Sequence, residues 1–233
     1  VFVEADCHPD QALTEVGWIE TLAASETRLT GIVAAAPIER GAAAKAHLQA
    51  LREHALVKGV RRLIQSESPG FCIAPAFIEA VQLLPEFDFT FDLCVKHVQC
   101  PDILTLARAC PETRFILDHI GKPAISEGLL DPWREHIDAL ASLPQVVGCK
   151  LSGLITEAKW EQWTRDDLRP YVTHVIEAFG PDRLLYGSDW PVSVLAGGYA
   201  GWWEALDTLT KTSFTDADRL KVFSENARRV YRL

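Results

Sequence analysis

Arg183-Leu184-Leu185-Tyr186-Gly187-Ser188-Asp189-Trp190-Pro191 is the stretch from which the fold is read. Leu184 to Tyr186 form a short apolar run. It is entered from the turn-forming Gly180-Pro181-Asp182 and left through small and polar residues. That pattern predicts a buried strand. It places the Asp189 carboxylate at the strand's C-terminal end, where parallel α/β proteins bind ligands and do chemistry. The alternative for Asp189 is a plain turn-former ahead of Trp190-Pro191.

Working outward, runs of the same kind recur along the chain: Val1–Cys7, Gly31–Pro37, Gly59–Gln65, Phe89–Val95, Arg114–Ile120, Val146–Gly153 and Arg183–Asp189. Their start-to-start spacings are 30, 28, 30, 25, 32 and 37 residues. Segments of helical period lie between them, with apolar faces at Leu13/Val16/Ile19/Leu22/Ala23, Phe77/Val81/Leu84 and Ile137/Leu140/Ala141. Pro75, Pro101 and Pro132 suit helix starts, where a missing N–H costs nothing, and Asp131 suits the cap before Pro132. Thr215-Asp216-Ala217-Asp218 resembles a capping box opening a last helix that runs to about Tyr231.

Strand–helix alternation at this interval means parallel strands joined by crossovers, buried on both faces. An open doubly wound sheet and a (β/α)8 TIM barrel both fit. The barrel is preferred. No Gly-x-Gly-x-x-Gly turn or phosphate loop follows any run, and polar residues finish most of them, as expected where every strand end meets in one mouth. Seven runs are visible and a barrel needs eight. The chain has no Met and opens directly on strand-like Val1-Phe2-Val3-Glu4. The expectation is therefore one barrel domain over residues 1–233, N-terminally incomplete, lacking a first β/α unit of about 30–45 residues.

Composition limits the function classes. The chain is 48% hydrophobic and 24% charged with a formal net charge of -9, an ordinary globular balance. There is no basic stripe for nucleic acid or an anionic membrane. No apolar stretch is long enough to cross a bilayer, and no signal-peptide pattern opens the chain. Cys7, Cys72, Cys94, Cys100, Cys110 and Cys149 form no Cys-x-x-Cys pair. They read as reduced buried thiols of a cytoplasmic protein.

The strand ends carry the chemistry. Arg61, Gln65 and Glu67 lie on or just after the third run, and Lys96 and His97 end the fourth. Asp118 and His119 close the fifth, Lys150 and Ser152 the sixth, and Asp189 the seventh. Strand side chains alternate, so one of Asp118 and His119 should face the barrel interior; His119 is preferred, with Asp118 turned to backbone donors. Lys150 needs a partner if buried, with Glu67 or Asp189 in view. One of Arg61 and Arg62 belongs to the surface. His97 reads as a solvated loop histidine or a ligand, and Trp190 as packing beneath its loop or walling a pocket. A carboxylate can take a proton from water, a histidine can bind metal or polarise a carbonyl, and cations can hold an anionic or hydroxylated substrate.

Three motifs, Asp118-His119-Ile120-Gly121-Lys122-Pro123, Lys150-Leu151-Ser152-Gly153-Leu154 and Gly187-Ser188-Asp189-Trp190-Pro191, in this order resemble the lactonase branch of the amidohydrolase superfamily. The resemblance covers essentially the whole chain. It implies a (β/α)8 barrel and hydrolysis of a carboxylic ester in a sugar-acid lactone, of the L-fuconolactone or L-rhamnonolactone type, in carbohydrate catabolism. Phe91-Asp92-Leu93-Cys94-Val95-Lys96-His97-Val98-Gln99 is closer to the sugar-lactone members than to the pyrone hydrolases. The implied roles are Asp189 and His119 as catalytic residues and as ligands of a divalent metal, zinc before others, with a metal-free member left open. The superfamily's His-x-His pair has no counterpart in this sequence. Arg61, Gln65, Glu67, Lys96, His97, Lys150 and Trp190 are the implied substrate-binding residues. Expected partners are a small lactone and no nucleic acid or membrane; a homo-oligomer is allowed. Other superfamily chemistry (pyrone or muconolactone hydrolysis, decarboxylation) and an inactive sugar-acid-binding protein are the alternatives.

Overall fold

Each of the seven apolar runs forms a parallel strand in the computed structural model, which describes residues 1–233. In chain order the elements are β1 (Phe2–Val3), α1 (Ala12–Ala23), β2 (Ile32–Ala35), α2 (Lys45–Arg52), β3 (Val57–Arg61), α3 (Pro75–Leu83), β4 (Thr90–Leu93), α4 (Cys100–Ala109) and β5 (Arg114–Leu117). They continue with α5 (Trp133–Ala141), β6 (Val146–Leu151), α6 (Leu154–Glu157), α7 (Arg165–Phe179), β7 (Leu184–Tyr186), α8 (Gly198–Thr210), α9 (Asp216–Leu220) and α10 (Asn226–Tyr231). A π-helical turn, Lys221–Glu225, joins the last two helices.

The strands pair in sequence order from β1 to β7, each neighbour parallel. The two edge strands share no ladder with each other. The sheet is nonetheless curled. Inward side chains from β2 (Val33), β5 (Ile116) and β7 (Leu185) meet in one buried cluster with Val230 and Tyr231 of α10. A flat sheet could not bring those strands together. The second apolar layer, between strands and helices, holds Phe77, Phe91, Phe115 and Trp133, all essentially inaccessible. The architecture is the α/β barrel type expected, with seven strands present.

Every strand leaves its ladder before the apolar run in the sequence ends. β5 stops at Leu117 and not Ile120; β7 stops at Tyr186 and not Asp189. The residues just past the ladder build the mouth, where side chains turn toward a ligand and not toward a neighbouring strand.

The capping expectations divide. Pro75 opens α3, and Thr215 and Asp218 form a reciprocal capping box on α9. Asp131 does not cap α5: Pro132 takes the cap position and Asp131 accepts from the Arg134 guanidinium at 2.6 and 3.0 Å. In α1, Val16 and Ile19 are buried, but Leu13 and Leu22 are 38% and 42% exposed. That helix follows the edge strand β1 and packs against β2, with its apolar stripe only half covered. The cysteines form no disulfide; five are buried and Cys7 is half-buried.

Candidate active site

The mouth is built where the chain turns sharply after β5 and β7. Of seven non-glycine residues with left-handed backbone, four are His119 (φ 52°), Ile120 (φ 48°), Lys122 (φ 45°) and Asp189 (φ 53°). Such conformations cost on the order of 1–3 kcal/mol each and persist where the surroundings hold them. Here they aim side chains. His119 Nε2 lies 3.7 Å from Asp189 Oδ1. The other ring nitrogen, Nδ1, is 2.8 Å from Ser152 Oγ, just past the end of β6. A hydroxyl can donate or accept, so Ser152 fixes the ring plane in either tautomer.

The left-handed turn also corrects the expectation about Asp118. Alternation holds only within a strand, and β5 has ended. Both Asp118 and His119 therefore face inward. Asp118 lies in the barrel axis, fully buried, with Oδ1 2.6 Å from Lys150 Nζ and Oδ2 accepting from Arg61 Nη1 at 2.9 Å. Lys150 also donates to Asp92 Oδ2 at 2.5 Å. Arg61 donates through Nε to Glu4 Oε1 at 2.7 Å and through Nη2 to the Glu4 carbonyl at 2.6 Å. Tyr231 Oη donates to Asp92 Oδ2 at 2.6 Å. Three carboxylates, two cations and a phenol thus meet charge against charge out of water, with Asp92 Oδ1 left without a hydrogen-bond donor.

Several predicted site residues are consequently placed elsewhere than expected. Lys150 pairs with Asp92 and Asp118, and with neither Glu67 nor Asp189. Arg61 and Lys150 each pair with two carboxylates of this network. Arg62 is the residue nearer the surface, tying Glu39 at 3.0 Å and Glu67 at 2.6 Å. Gln65 is half-buried and accepts from Cys94 Sγ at 3.6 Å. Lys96 is exposed on the rim, and the half-buried His97 donates its backbone N–H to the Lys122 carbonyl at 3.3 Å. Trp190 is 67% exposed, so it does not pack beneath its loop.

Sequence reasoning missed Lys122 and Glu157 as a mouth pair. Lys122 Nζ lies 3.5 Å from Glu157 Oε1, and both side chains are mostly covered. Lys122 follows the glycine of the β5 motif, which was the signal available. A cleft of about 440 Å³ adjoins the mouth at the ends of β1–β3, lined among others by Glu4, Cys7, Arg40, His47 and Arg61.

Burial sets the protonation states. It pushes the His119 imidazole down to about 3, with Asp118 opposing and Lys122 reinforcing, so the ring is neutral. It pushes Asp189 up to about 6, against the pull of Lys122. Asp118 is held well below the usual carboxylate range: burial opposes this, but Lys150 and Arg61 outweigh it. A neutral imidazole and an ionisable carboxylate converging from two strand ends is a donor set that suits a divalent metal. His119 Nε2 and Asp189 fit as two of its ligands. Cys94 Sγ, Asp118 and His119 also lie within 4.8 Å of one another. In that trio burial pushes the thiol up to about 12, and Asp118 is already neutralised by two cations. The His119–Asp189 pair is the better fit.

Gly153 is required by this packing. Its φ is +69°, and a Cβ there would stand 2.7 Å from His119 Nδ1. Gly153→Ala is expected to cost about 1–3 kcal/mol in backbone strain. It should also push the imidazole off Ser152, lowering turnover about tenfold or more. Thermal unfolding and steady-state kinetics on one preparation check both.

At the strand ends of this parallel β/α barrel an imidazole and a carboxylate face each other across 3.7 Å. The chain belongs to the amidohydrolase family, whose model matches residues 5–233. Among curated relatives it is similar to the L-fucono-1,5-lactonase of Burkholderia multivorans, 35% identical over 188 residues, covering 76% of this chain and 63% of that protein. It is also similar to that of Burkholderia ambifaria, 37% identical over 196 residues, 82% of this chain and 66% of the relative. The match thus spans just under two-thirds of each relative's length. Among solved structures, an amidohydrolase from Burkholderia multivorans with bound zinc superposes with a TM-score of 0.90 at 30% identity, covering 99% of this chain and 82% of that one. No helix here is long and apolar enough to cross a membrane.

Proposed function

We propose that this chain is one barrel domain that opens a sugar-acid lactone, of the L-fuconolactone or rhamnonolactone type, by water attack. The observation that carries the reading is the 3.7 Å approach of neutral His119 to Asp189, a carboxylate with its pKa near 6, at the barrel mouth. The names of the two Burkholderia relatives support the substrate class.

In this reading Asp189 takes a proton from water as the water oxygen attacks the lactone carbonyl carbon. With Ser152 donating to Nδ1, His119 Nε2–H donates to the oxyanion that forms. As the intermediate collapses, the ring C–O bond breaks and the proton passes from Asp189 to the ring oxygen. The open hydroxy acid then ionises and releases a proton to solvent. Lys122 adds positive potential at the mouth, and Gln65, Glu67, Lys96, His97 and Trp190 are the proposed contacts to substrate hydroxyls and ring. With Nδ1 instead donating to Ser152, Nε2 presents a lone pair, and His119 with Asp189 would hold a zinc ion. Bound there, it would supply Lewis-acid polarisation of the carbonyl.

A panel of sugar lactones in a pH-indicator assay, with and without added Zn²⁺, tests this. Proton release on at least one aldonolactone is expected. No lactone opened, or carbon dioxide released from aromatic acids in its place, overturns it.

A further inference from the structure

The interior network has a member that comes from nowhere near the mouth. Tyr231 ends α10, at the floor of the barrel. The next residue, Arg232, donates to the Lys58 carbonyl in β3 at 3.0 Å and pairs with Asp88, just before β4, at 3.0 Å. Those contacts lie toward the N-terminal ends of the strands, opposite the mouth. From there the Tyr231 ring rises among Val33, Ile116 and Leu185, 2% exposed. Its hydroxyl meets Asp92 Oδ2 at 2.6 Å, and Lys150 Nζ stands 5.8 Å from its ring centre. Beyond Asp92 the chain of contacts is short: Asp92 to Lys150 at 2.5 Å, Lys150 to Asp118 at 2.6 Å, and Asp118 is covalently next to His119.

We propose that Tyr231 is a positioning residue for the active site: its hydroxyl, reaching the barrel axis from the last helix, holds Asp92 and so fixes Lys150, Asp118 and the seat of the His119 imidazole. This rests on the reading of His119 and Asp189 as the reacting pair. Asp92 Oδ1 has no hydrogen-bond partner. All its satisfaction therefore comes through the oxygen that Tyr231 and Lys150 share. Without the phenol, Lys150 is the only donor left to Asp92, whose carboxylate is then free to turn and to draw the ammonium with it, away from Asp118. Asp118 sits on the same left-handed turn that aims His119, so a displacement there is passed to the ring. A floor residue that only filled space would act through its ring, and its hydroxyl would be dispensable.

Tyr231→Phe in the full chain separates the two, because it keeps the ring. The first readout is the ¹⁵N spectrum of the histidine side chains, with His119 assigned by comparison with His119→Gln. In Tyr231→Phe the His119 ring resonances should move or split while those of the other six histidines stay in place. On any lactone the parent opens, kcat should fall about tenfold with KM within about twofold. Asp92→Asn, which keeps the size of the partner, should disturb the same His119 resonances, and the double variant should be no worse than the worse single one. His119 resonances that superimpose on the parent's in either variant overturn the proposal, even if Tyr231→Phe folds poorly and only Asp92→Asn can be read. If the parent opens no lactone, the function fails but the imidazole spectrum still decides this point.

Discussion

Replacing Asp189 by Asn is expected to lower kcat for lactone opening at least about a hundredfold, the ordinary loss on removing a general base. The same change is expected to make the protein more stable. Asp189 titrates near 6 in the folded chain because burial disfavours its charge; in the unfolded chain it titrates near the ordinary carboxylate value. A raised folded pKa leaves stability untouched at pH values below the unfolded pKa. The cost of the charge then grows as pH rises from the unfolded value to the folded one and is complete above it. Two units of difference correspond to about 3 kcal/mol. Denaturant unfolding of the two proteins in a chelator, at pH 4 and pH 8, should show curves within about 0.5 kcal/mol of each other at the lower pH. At the higher pH the variant should lead by up to about 3 kcal/mol. A variant less stable than the parent at pH 8 would mean that Asp189 is held by partners in the fold, not poised for chemistry. Lost activity with gained stability is the signature of a strained functional group.

That Asp189 stands at the mouth was legible because its position follows from one local pattern, an apolar run ending in small and polar residues. The seven strands and their order were legible for the same reason. His119 was legible as a residue but not as a geometry. The alternation that seemed to force a choice between Asp118 and His119 ends where the backbone enters the left-handed region, and the only hint was Gly121-Lys122-Pro123 after it. The interior network was not legible at all as a set of pairs. Lys150 could be seen as a charge inside an apolar strand, in need of a partner, but nothing singled out Asp92 as that partner. Their pairing spans 58 residues, Arg61 to Asp118 spans 57, and Tyr231 to Asp92 spans 139. Such distances are closed only by the curvature of the sheet. Tyr231 itself was only the position near which the last helix ends. The substrate-binding roles expected of Arg61 and Lys150 were accordingly assigned with no view of these pairings.

Lys150→Met tests how much of the fold depends on that interior charge. Met keeps the length of the side chain and its apolar stem, so packing changes little. What disappears is the cation between Asp92 and Asp118. Asp118 retains Arg61, but Asp92 is left with the Tyr231 hydroxyl alone, fully buried. Removing one partner of a buried ion pair typically costs about 3–5 kcal/mol, because the remaining charge has no water to return to. Against a total stability on the order of 5–15 kcal/mol that is a large fraction. The loss should depend on pH in a defined direction. Burial, against the pull of Lys150, already pushes Asp92 above its ordinary range. Without Lys150 it rises further, so the variant's deficit should be greatest at alkaline pH and shrink as acid protonates Asp92. Adding Asp92→Asn to Lys150→Met removes the stranded charge outright and should recover a good part of the loss at pH 8 with little effect at pH 5. Denaturant midpoints for the four proteins of this cycle give the coupling directly. A deficit under about 1 kcal/mol in Lys150→Met, unchanged by pH, would mean that water reaches Asp92 and that the barrel axis is a wet channel, not a sealed network.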